Sequence, residues 1–294
     1  MEERDPMASI SIPFFRSRRV VETSTRVLAT IILILLSAIV MLPVFWMIST
    51  SLKSLQDVLK FPPIWIPNQF MWSNYPEALT FLPFHIYFRN TVLITFAVLI
   101  ADVFVNSLIA YAFARLRAPG KEILFILVIS TMMVPYQVLM TPLYIIFHRL
   151  GWIDTYRPLI IPAFFGSAFL IFMLRQFYRG IPSEMDDSAR IDGCSYLGIW
   201  LRIIIPLSLP ALAAASIFSF TYNWNDFLAP LIYINSPEKM TLAVGLAYFR
   251  HRYSATPWHL LMAATITTVL PCVILFFTAQ RYFIQGVVIT GVKG

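Results

Sequence analysis

Six apolar stretches run along the chain, separated by short polar segments. Val27–Thr50, Ile123–Phe147 and Leu260–Gln280 contain no charged residue. Asn90–Ala114 contains one, Asp102. Pro158–Leu174 is a shorter uncharged run, and Ile203–Asn225 continues past Asp226 to about Ile234. A helix rising 1.5 Å per residue needs about 20 residues to cross roughly 30 Å of hydrocarbon. Five of the six runs meet that length outright. The fourth must borrow a turn from Trp152–Arg157 or Gln176–Tyr178. Strands are excluded, because an open sheet cannot satisfy its backbone in lipid and no run alternates cleanly. The pattern predicts an all-α polytopic membrane protein with six transmembrane helices.

Prolines lie in or beside these runs: Pro43, Pro135, Pro142, Pro162, Pro210, Pro230 and Pro271. Each removes a backbone donor and tends to kink its helix. Arg16, Arg18 and Arg19 precede the first run as they would in a signal peptide. That run is 24 residues long and ends in Trp46-Met47-Ile48-Ser49-Thr50. A signal core of roughly 7–15 residues ends at small residues, so this one reads as a retained anchor.

Composition agrees with the pattern. Apolar residues make up 59% and charged residues 13%, about half the usual charged share of roughly 25%. Mean hydropathy is +0.74. Too few charges are available to cover a soluble surface, and disorder needs the opposite balance. The net charge of +7 belongs to topology rather than to nucleic acid. With both termini cytoplasmic, 14 Lys and Arg fall inside and 8 outside, as the positive-inside rule requires. Cys194 and Cys272 do not form a disulfide framework. His85, His148, His251 and His259 include no H-E-x-x-H, so no metal site is expected. No nucleophile–base constellation is visible.

Two acids lie at membrane depth, where a charge usually faces a cavity or a partner. Asp226 follows Tyr222-Asn223-Trp224-Asn225, a polar and aromatic cluster, and either lines a cavity or makes a helix-pair hydrogen bond. Asp102 has only Asn106 one turn on, and a structural bond is expected for it.

The segment between the fourth and fifth runs is the most informative. Ser183 can cap a helix, with Asp186 three residues on as a capping-box acid. Glu184, Asp186 and Asp187 fall in a first turn, where the helix dipole favours acids. Gly193 is a natural left-handed stop. A short helix of about nine residues is therefore expected, lying off the bilayer. Ser188 and Ala189 are small enough for another surface to approach. Met185 and Ala189, four apart, make one small apolar face.

This segment resembles the cytoplasmic EAA loop of permease subunits of bacterial ABC importers. The family pattern is E-A-A, three residues, G, nine residues, I-x-L-P. The chain has Asp187-Ser188-Ala189, three residues, Gly193, nine residues, then Ile203-Ile204-Ile205-Pro206. Pro182-Ser183-Glu184-Met185 and Ile191-Asp192-Gly193 are similar to the carbohydrate branch. So are Arg89-Asn-Thr-Val, Ala110-Tyr-Ala-Phe-Ala-Arg115, Trp224-Asn-Asp-Phe227 and Pro230-Leu-Ile-Tyr. Gln280-Arg-Tyr-Phe283 through Gly291–Gly294 resembles the end of maltose-type permeases. The likeness covers Val27 to Gly294.

The resemblance implies a transmembrane domain over 27–285, a cytoplasmic segment over 1–26 and a cytoplasmic tail over 286–294. It implies no catalytic residue and no bound cofactor, with ATP and Mg held by partner subunits. The sequence agrees, since Gly120-Lys121 is followed by Glu122 and no P-loop forms. Implied partners are a second permease subunit in a heterodimer, two ATP-binding cassette subunits, an extracytoplasmic solute-binding protein and membrane lipid, with no nucleic acid. Carried over by position, the coupling surface is Glu184, Met185, Asp187, Ser188, Ala189, Asp192, Gly193 and Pro206. Tyr222, Asn223, Asn225 and Asp226 would line the substrate path. Tyr248, Phe249, Arg250 and Tyr253 would meet the binding protein. The solute implied is a sugar or oligosaccharide, imported across the bacterial inner membrane. Another polar solute such as glycerol phosphate is the alternative, and an ion-coupled carrier is a more distant one.

Overall fold

The computed structural model describes residues 14–249 and 256–291. No strand occurs among the described residues. Eight helices organise the chain: α1 (Phe14–Ser51), α2 (Phe84–Arg115), α3 (Lys121–Ser130), α4 (Tyr136–Arg149), α5 (Ala168–Arg179), α6 (Glu184–Ile191), α7 (Leu209–Trp224) and α8 (Trp258–Gly291). Shorter helical turns connect them. Thr25–Ser51, Phe84–Arg115, Arg157–Arg179 and Trp258–Gln280 are each long and apolar enough to cross a membrane. Two bent pairs bring the total to six if each pair is one span. The fourth span gains its missing length at both ends, from Arg157 and from the turn ending at Arg179.

The bent pairs go further than the kinks that the prolines predict. The third apolar run breaks by 98° between Lys121–Met133 and Tyr136–Arg149. Pro135 explains it. It has no amide to donate and disfavours helical geometry in the residue before it, and Val134 is extended at φ −87°, ψ 113°. The fifth run breaks by 82° between Tyr196–Leu207 and Leu209–Trp224. Here a π-helical turn spans Trp200–Ile204, and the Ile205 amide reaches back five residues to the Trp200 carbonyl. Pro206 and Pro210 withhold the amides that a regular helix would use on either side of Ser208. The fifth run also stops at Trp224, and Leu228–Tyr233 is a separate short helix.

The expected boundaries at 26 and 285 do not interrupt helices. α1 is continuous from Phe14, and α8 runs on to Gly291. Expectations for residues 1–13 and 292–294 lie outside the described residues.

α2 is the central helix, packed against α5 and α7. Its two faces explain the placement. Thr91, Thr95, Asp102, Asn106 and Ser107 are buried, whereas Leu93, Phe96, Ile100 and Phe104 are exposed. Both stripes follow helical spacing. The polar stripe thus meets protein and the apolar stripe meets lipid, the reverse of a soluble helix. Small residues let the backbones approach: Ala110 on α2, Ala211, Ala214 and Ala215 on α7, Ala263 and Ala264 on α8, all buried. Polar bonds cross these contacts. Ser219 donates to Asp102 (2.7 Å), the Ser107 and Tyr178 hydroxyls lie 2.7 Å apart, and Trp200 Nε1 donates to Ser107 (3.0 Å). Such bonds average about 0.6 kcal/mol each in a bilayer. Asp102 is therefore a helix-pairing residue, as expected.

The core divides into two clusters. One gathers Tyr111, Leu174, Tyr178, Ala189, Trp200 and Ile204 near α6. The other gathers Phe84, Tyr87, Trp224, Met240, Leu242 and Phe249 at the opposite end.

Candidate coupling surface and membrane cavity

α6 spans Glu184–Ile191, eight residues against the nine expected. Gly193 has φ +80°, the left-handed stop its identity suggested, and open space surrounds the position of a Cβ there. The capping expectation fails. Ser183 is itself helical at φ −71°, ψ −22°, and its hydroxyl makes no cap bond. Its carbonyl accepts the amides of Asp186 (3.0 Å) and Asp187 (3.1 Å) instead. In that geometry the hydroxyl cannot turn back to the first amides, because an N-cap needs extended backbone.

Asp186 is consequently used elsewhere. Arg115, at the end of α2, places Nε 3.3 Å from Asp186 Oδ2. Arg115 Nη2 also donates to the Ile181 carbonyl (2.7 Å). Burial pushes the Asp186 carboxyl up from its ordinary value, against the pull of Arg115. Ala189 is buried in the core cluster beneath α6. This corrects the apolar face expected from Met185 and Ala189: Ala189 faces inward and fixes the helix, and Met185 alone stays exposed. Glu184, Asp187, Ser188 and Asp192 are exposed with it. Ser188 donates back to the Glu184 carbonyl (2.7 Å). Pro206 lies apart from this surface, in the elbow leading to α7. α6 is thus held on one side and offers Glu184, Met185, Asp187 and Ser188 on the other.

A second anchor was not anticipated. Arg175 on α5 is 4% exposed. It donates to both carboxylate oxygens of Glu122 (3.0 and 2.8 Å) and to the Phe113 carbonyl (3.3 Å), and stacks 3.8 Å above the Phe125 ring. One side chain therefore ties α2, α3 and α5 together. An Arg inside a run of aromatic residues, with Glu122 beginning the next helix, was the available signal.

The membrane cavity is about 440 Å³. Tyr222, Asn223 and Asp226 line it. Asn225 does not; it is exposed, donates to the Thr221 carbonyl (2.8 Å), and borders an adjoining recess with Asp226. Tyr136, Gln137 and Tyr233 line the cavity too and were missed. They arrive through the two breaks in the spans. The bend at Pro135 turns Tyr136 to the wall, and the break after Trp224 brings Tyr233 across, their hydroxyls 3.3 Å apart. Asn223 is held by its amide to the Ser219 carbonyl (2.8 Å). The Asp226 carboxylate takes the Ala229 amide (3.3 Å). Gly166 also faces the cavity at φ +89°, where a Cβ would meet Ile109 and Ile171 at 3.0 and 3.1 Å.

At the opposite end from α6 the described part of the expected protein-contact loop, 235–249, is largely inside the fold. Phe249 is 0% exposed and stacks on Phe81 with centroids 5.0 Å apart. Its burial is at odds with the binding-protein contact that the resemblance implied for it. Tyr248 is exposed on the rim. Arg250 and Tyr253 lie outside the described residues. The loop is pinned by Asn90, whose amide donates to the Glu238 and Met240 carbonyls (2.9 and 3.0 Å). Asp154 pins it a second time. Its carboxylate takes Lys239 Nζ (2.9 Å) and the amides of Asn235 (3.0 Å) and Ser236 (2.8 Å). These bonds, the Lys239 one first, hold the Asp154 carboxyl well below the usual carboxylate range. No group of His, Cys, Asp and Glu suited to a metal occurs among the described residues.

Comparison with known proteins follows the same lines. Residues 104–289 match the family model described as binding-protein-dependent transport system inner membrane component. The arabinooligosaccharides transport system permease protein AraQ of Bacillus subtilis is 35% identical over 274 residues, 92% of this chain and 96% of that protein. The trehalose/maltose transport system permease protein MalG of Thermococcus litoralis is 30% identical over 276 residues, 93% of this chain and 99% of that protein. Among solved structures, a bacterial ABC transporter that imports the acidic polysaccharide alginate superposes with a TM-score of 0.77 at 24% identity, covering 92% of this chain and all of that one. That likeness concerns the fold.

Proposed function

The chain belongs to the binding-protein-dependent transport system inner membrane components, and from that premise we propose that it forms half of the translocation path of an ATP-driven sugar importer. The solute is a sugar or oligosaccharide delivered by an extracytoplasmic binding protein. A second, different permease subunit supplies the other half of the path, and two separate ATP-binding cassette subunits hydrolyse ATP with Mg. This chain does no covalent chemistry. Both termini face the cytoplasm. Relatives named for arabinooligosaccharides and for trehalose and maltose support the solute class.

The observation that carries the coupling role is the one-sided mounting of α6. Ala189 and Asp186 bind it to the chain's own core, while Glu184, Met185, Asp187 and Ser188 stay exposed. A helix fixed rigidly behind and open in front transmits displacement rather than absorbing it. ATP-driven closure of the cassettes moves α6, and the two permease halves rock between inward and outward access as rigid bodies. Gly193 lets the chain leave the docked helix at a left-handed turn. Asp192 and Pro206 act as frame residues, and the segment after 285 adds a second cassette contact.

The test is ATP-dependent uptake by the importer reconstituted with its partner subunits. Gly193→Pro and Asp187→Lys should each abolish uptake while the chain remains in the membrane. Normal uptake with both changes, or accumulation without ATP, would overturn the reading.

A further inference from the structure

We infer that this half of the path admits uncharged polyhydroxylated solutes and rejects acidic ones, with Asp226 as the discriminating residue. The inference rests on reading the membrane cavity as the path. It follows from what lines the cavity and from what is missing there. The cavity of about 440 Å³ continues into recesses of about 430 and 580 Å³. Among the described residues, no Lys, Arg or His borders any of the three. The acids on the walls are Asp102 and Asp226.

The two acids differ in how they are used. Asp102 already receives Ser219 (2.7 Å) and Asn106 (3.4 Å) and serves helix pairing. Asp226 is approached by backbone amides, of Ala229 at 3.3 Å and of Leu228. No side-chain donor among the described residues reaches it. Asp226 borders the cavity, and its remaining acceptor positions are free of protein side chains, so a sugar hydroxyl can donate to them. Tyr136 and Tyr222 add flat apolar faces for the C–H surface of a sugar ring, with hydroxyls at their tips. Gln137 and Asn223 add amides that both donate and accept. This lining matches a neutral polyol.

An acidic solute meets the opposite situation. Its carboxylate, sulfonate or phosphate enters beside carboxyls of like sign, between poorly polarisable walls that strengthen the repulsion. A path for such a solute needs a cation, and the planar fork of Arg is the group best fitted to a carboxylate or phosphate. None borders the cavity among the described residues. Of the two solute classes raised by the sequence, the walls favour the neutral sugar over glycerol phosphate.

The probe can be independent of the natural solute. A cysteine is introduced by Tyr222→Cys, at a side chain that is 71% exposed, in a Cys194→Ser, Cys272→Ala background. The full importer is assembled with its partner subunits in membranes. Two methanethiosulfonate reagents of matched size are applied, one ending in trimethylammonium and one in sulfonate. Each rate is divided by its rate with a free thiol. The cationic reagent should react about tenfold faster, and Asp226→Asn should narrow the ratio to about twofold. Equal normalised rates with Asp226 present would overturn the inference, as would a ratio untouched by Asp226→Asn. Ala229→Cys is a second reporter on the same wall, should the first fail to assemble. Binding-protein-stimulated ATP hydrolysis is followed in the same samples. If modification blocks it and the rates are equal, only the charge inference falls. If modification leaves it unchanged, the cavity is not the path and both readings fall.

Discussion

The two ends of the molecule are held in opposite ways. α6 is held from one side, by Ala189 and the Arg115–Asp186 pair, and leaves most of its residues exposed. The loop at the other end, 234–249, is held from several sides. Asn90 and Thr91 bond its backbone, Asp154 gathers three of its residues, and Tyr87 packs where Gly245 has no side chain. Both segments connect spans, and both looked like contact surfaces in the sequence. The difference is what each must do. A lever has to be stiff at its root and bare at its tip. A loop that caps helix ends has to satisfy their polar groups, and it becomes part of the core in doing so.

The comparison breaks hardest at Arg115. Arg115→Ala removes the root of the lever and leaves Asp186 largely buried with no counter-charge, its side chain 14% exposed. Losing one partner of a buried pair costs about 3–5 kcal/mol; the part-exposed pair here, whose acid can take a proton, should lose about 2–3 kcal/mol. Hydrogen exchange should speed up over 184–193 and stay unchanged over 234–249. Parallel loss of protection at both ends would show that they are not held independently.

A smaller effect is expected at the opposite end from Gly245→Ala. The new Cβ would sit 2.5 Å from Tyr87 Cδ2, in a ring that is 3% exposed. Overpacking of this kind costs about 1–3 kcal/mol. Exchange should accelerate over 238–249 and leave α6 untouched. Adding Tyr87→Leu, which clears the ring, should recover part of the loss, because contacting residues are not additive. No recovery would mean that the strain lies in the backbone rather than in the ring.

Hydropathy made most of this architecture legible. Each apolar run became a helix or a pair, because nothing but a helix satisfies its backbone in lipid. The bends at Val134 and Ser208 were not legible, although Pro135, Pro206 and Pro210 were in view. A proline says that a bond is missing but not which neighbours make up for it, and only packing decides between a gentle kink and a break of 98° or 82°. That ambiguity hid Tyr136 and Tyr233 from the cavity list. On α6, spacing located the helix and Gly193, whereas the capping rule misplaced Ser183 and Asp186. It assumed an extended residue before the helix, and Arg115, some seventy positions away, had a stronger claim on the acid. Phe249 was placed at a contact by resemblance, and a position carried over from relatives does not say which way its side chain faces.

The finest distinction between the ends is the order in which their acids take up protons. Asp154 has a carboxyl depressed by Lys239 and Ser236. Its folded form binds a proton less readily than the unfolded chain does, so its contribution to stability is full above the ordinary carboxylate value of about 3.9. That contribution disappears only as pH falls through the lowered value. Asp186 has a carboxyl raised by burial. There the folded state binds the proton more readily, so its contribution has the other sign: present below the ordinary value and lost as pH rises through the raised one. On acidification, Asp186 should therefore become neutral first and release the charge on Arg115, while the Asp154–Lys239 bond persists. Infrared titration of the assembled importer can separate the two, with each band assigned by its loss in Asp186→Asn or Asp154→Asn. The protonated carboxyl band of Asp186 should grow in at a higher pH than that of Asp154. The reverse order would mean that Arg115 outweighs burial at the root of α6. The lever would then be held by charge rather than by packing, and raising the salt concentration instead of lowering the pH would be the way to loosen it.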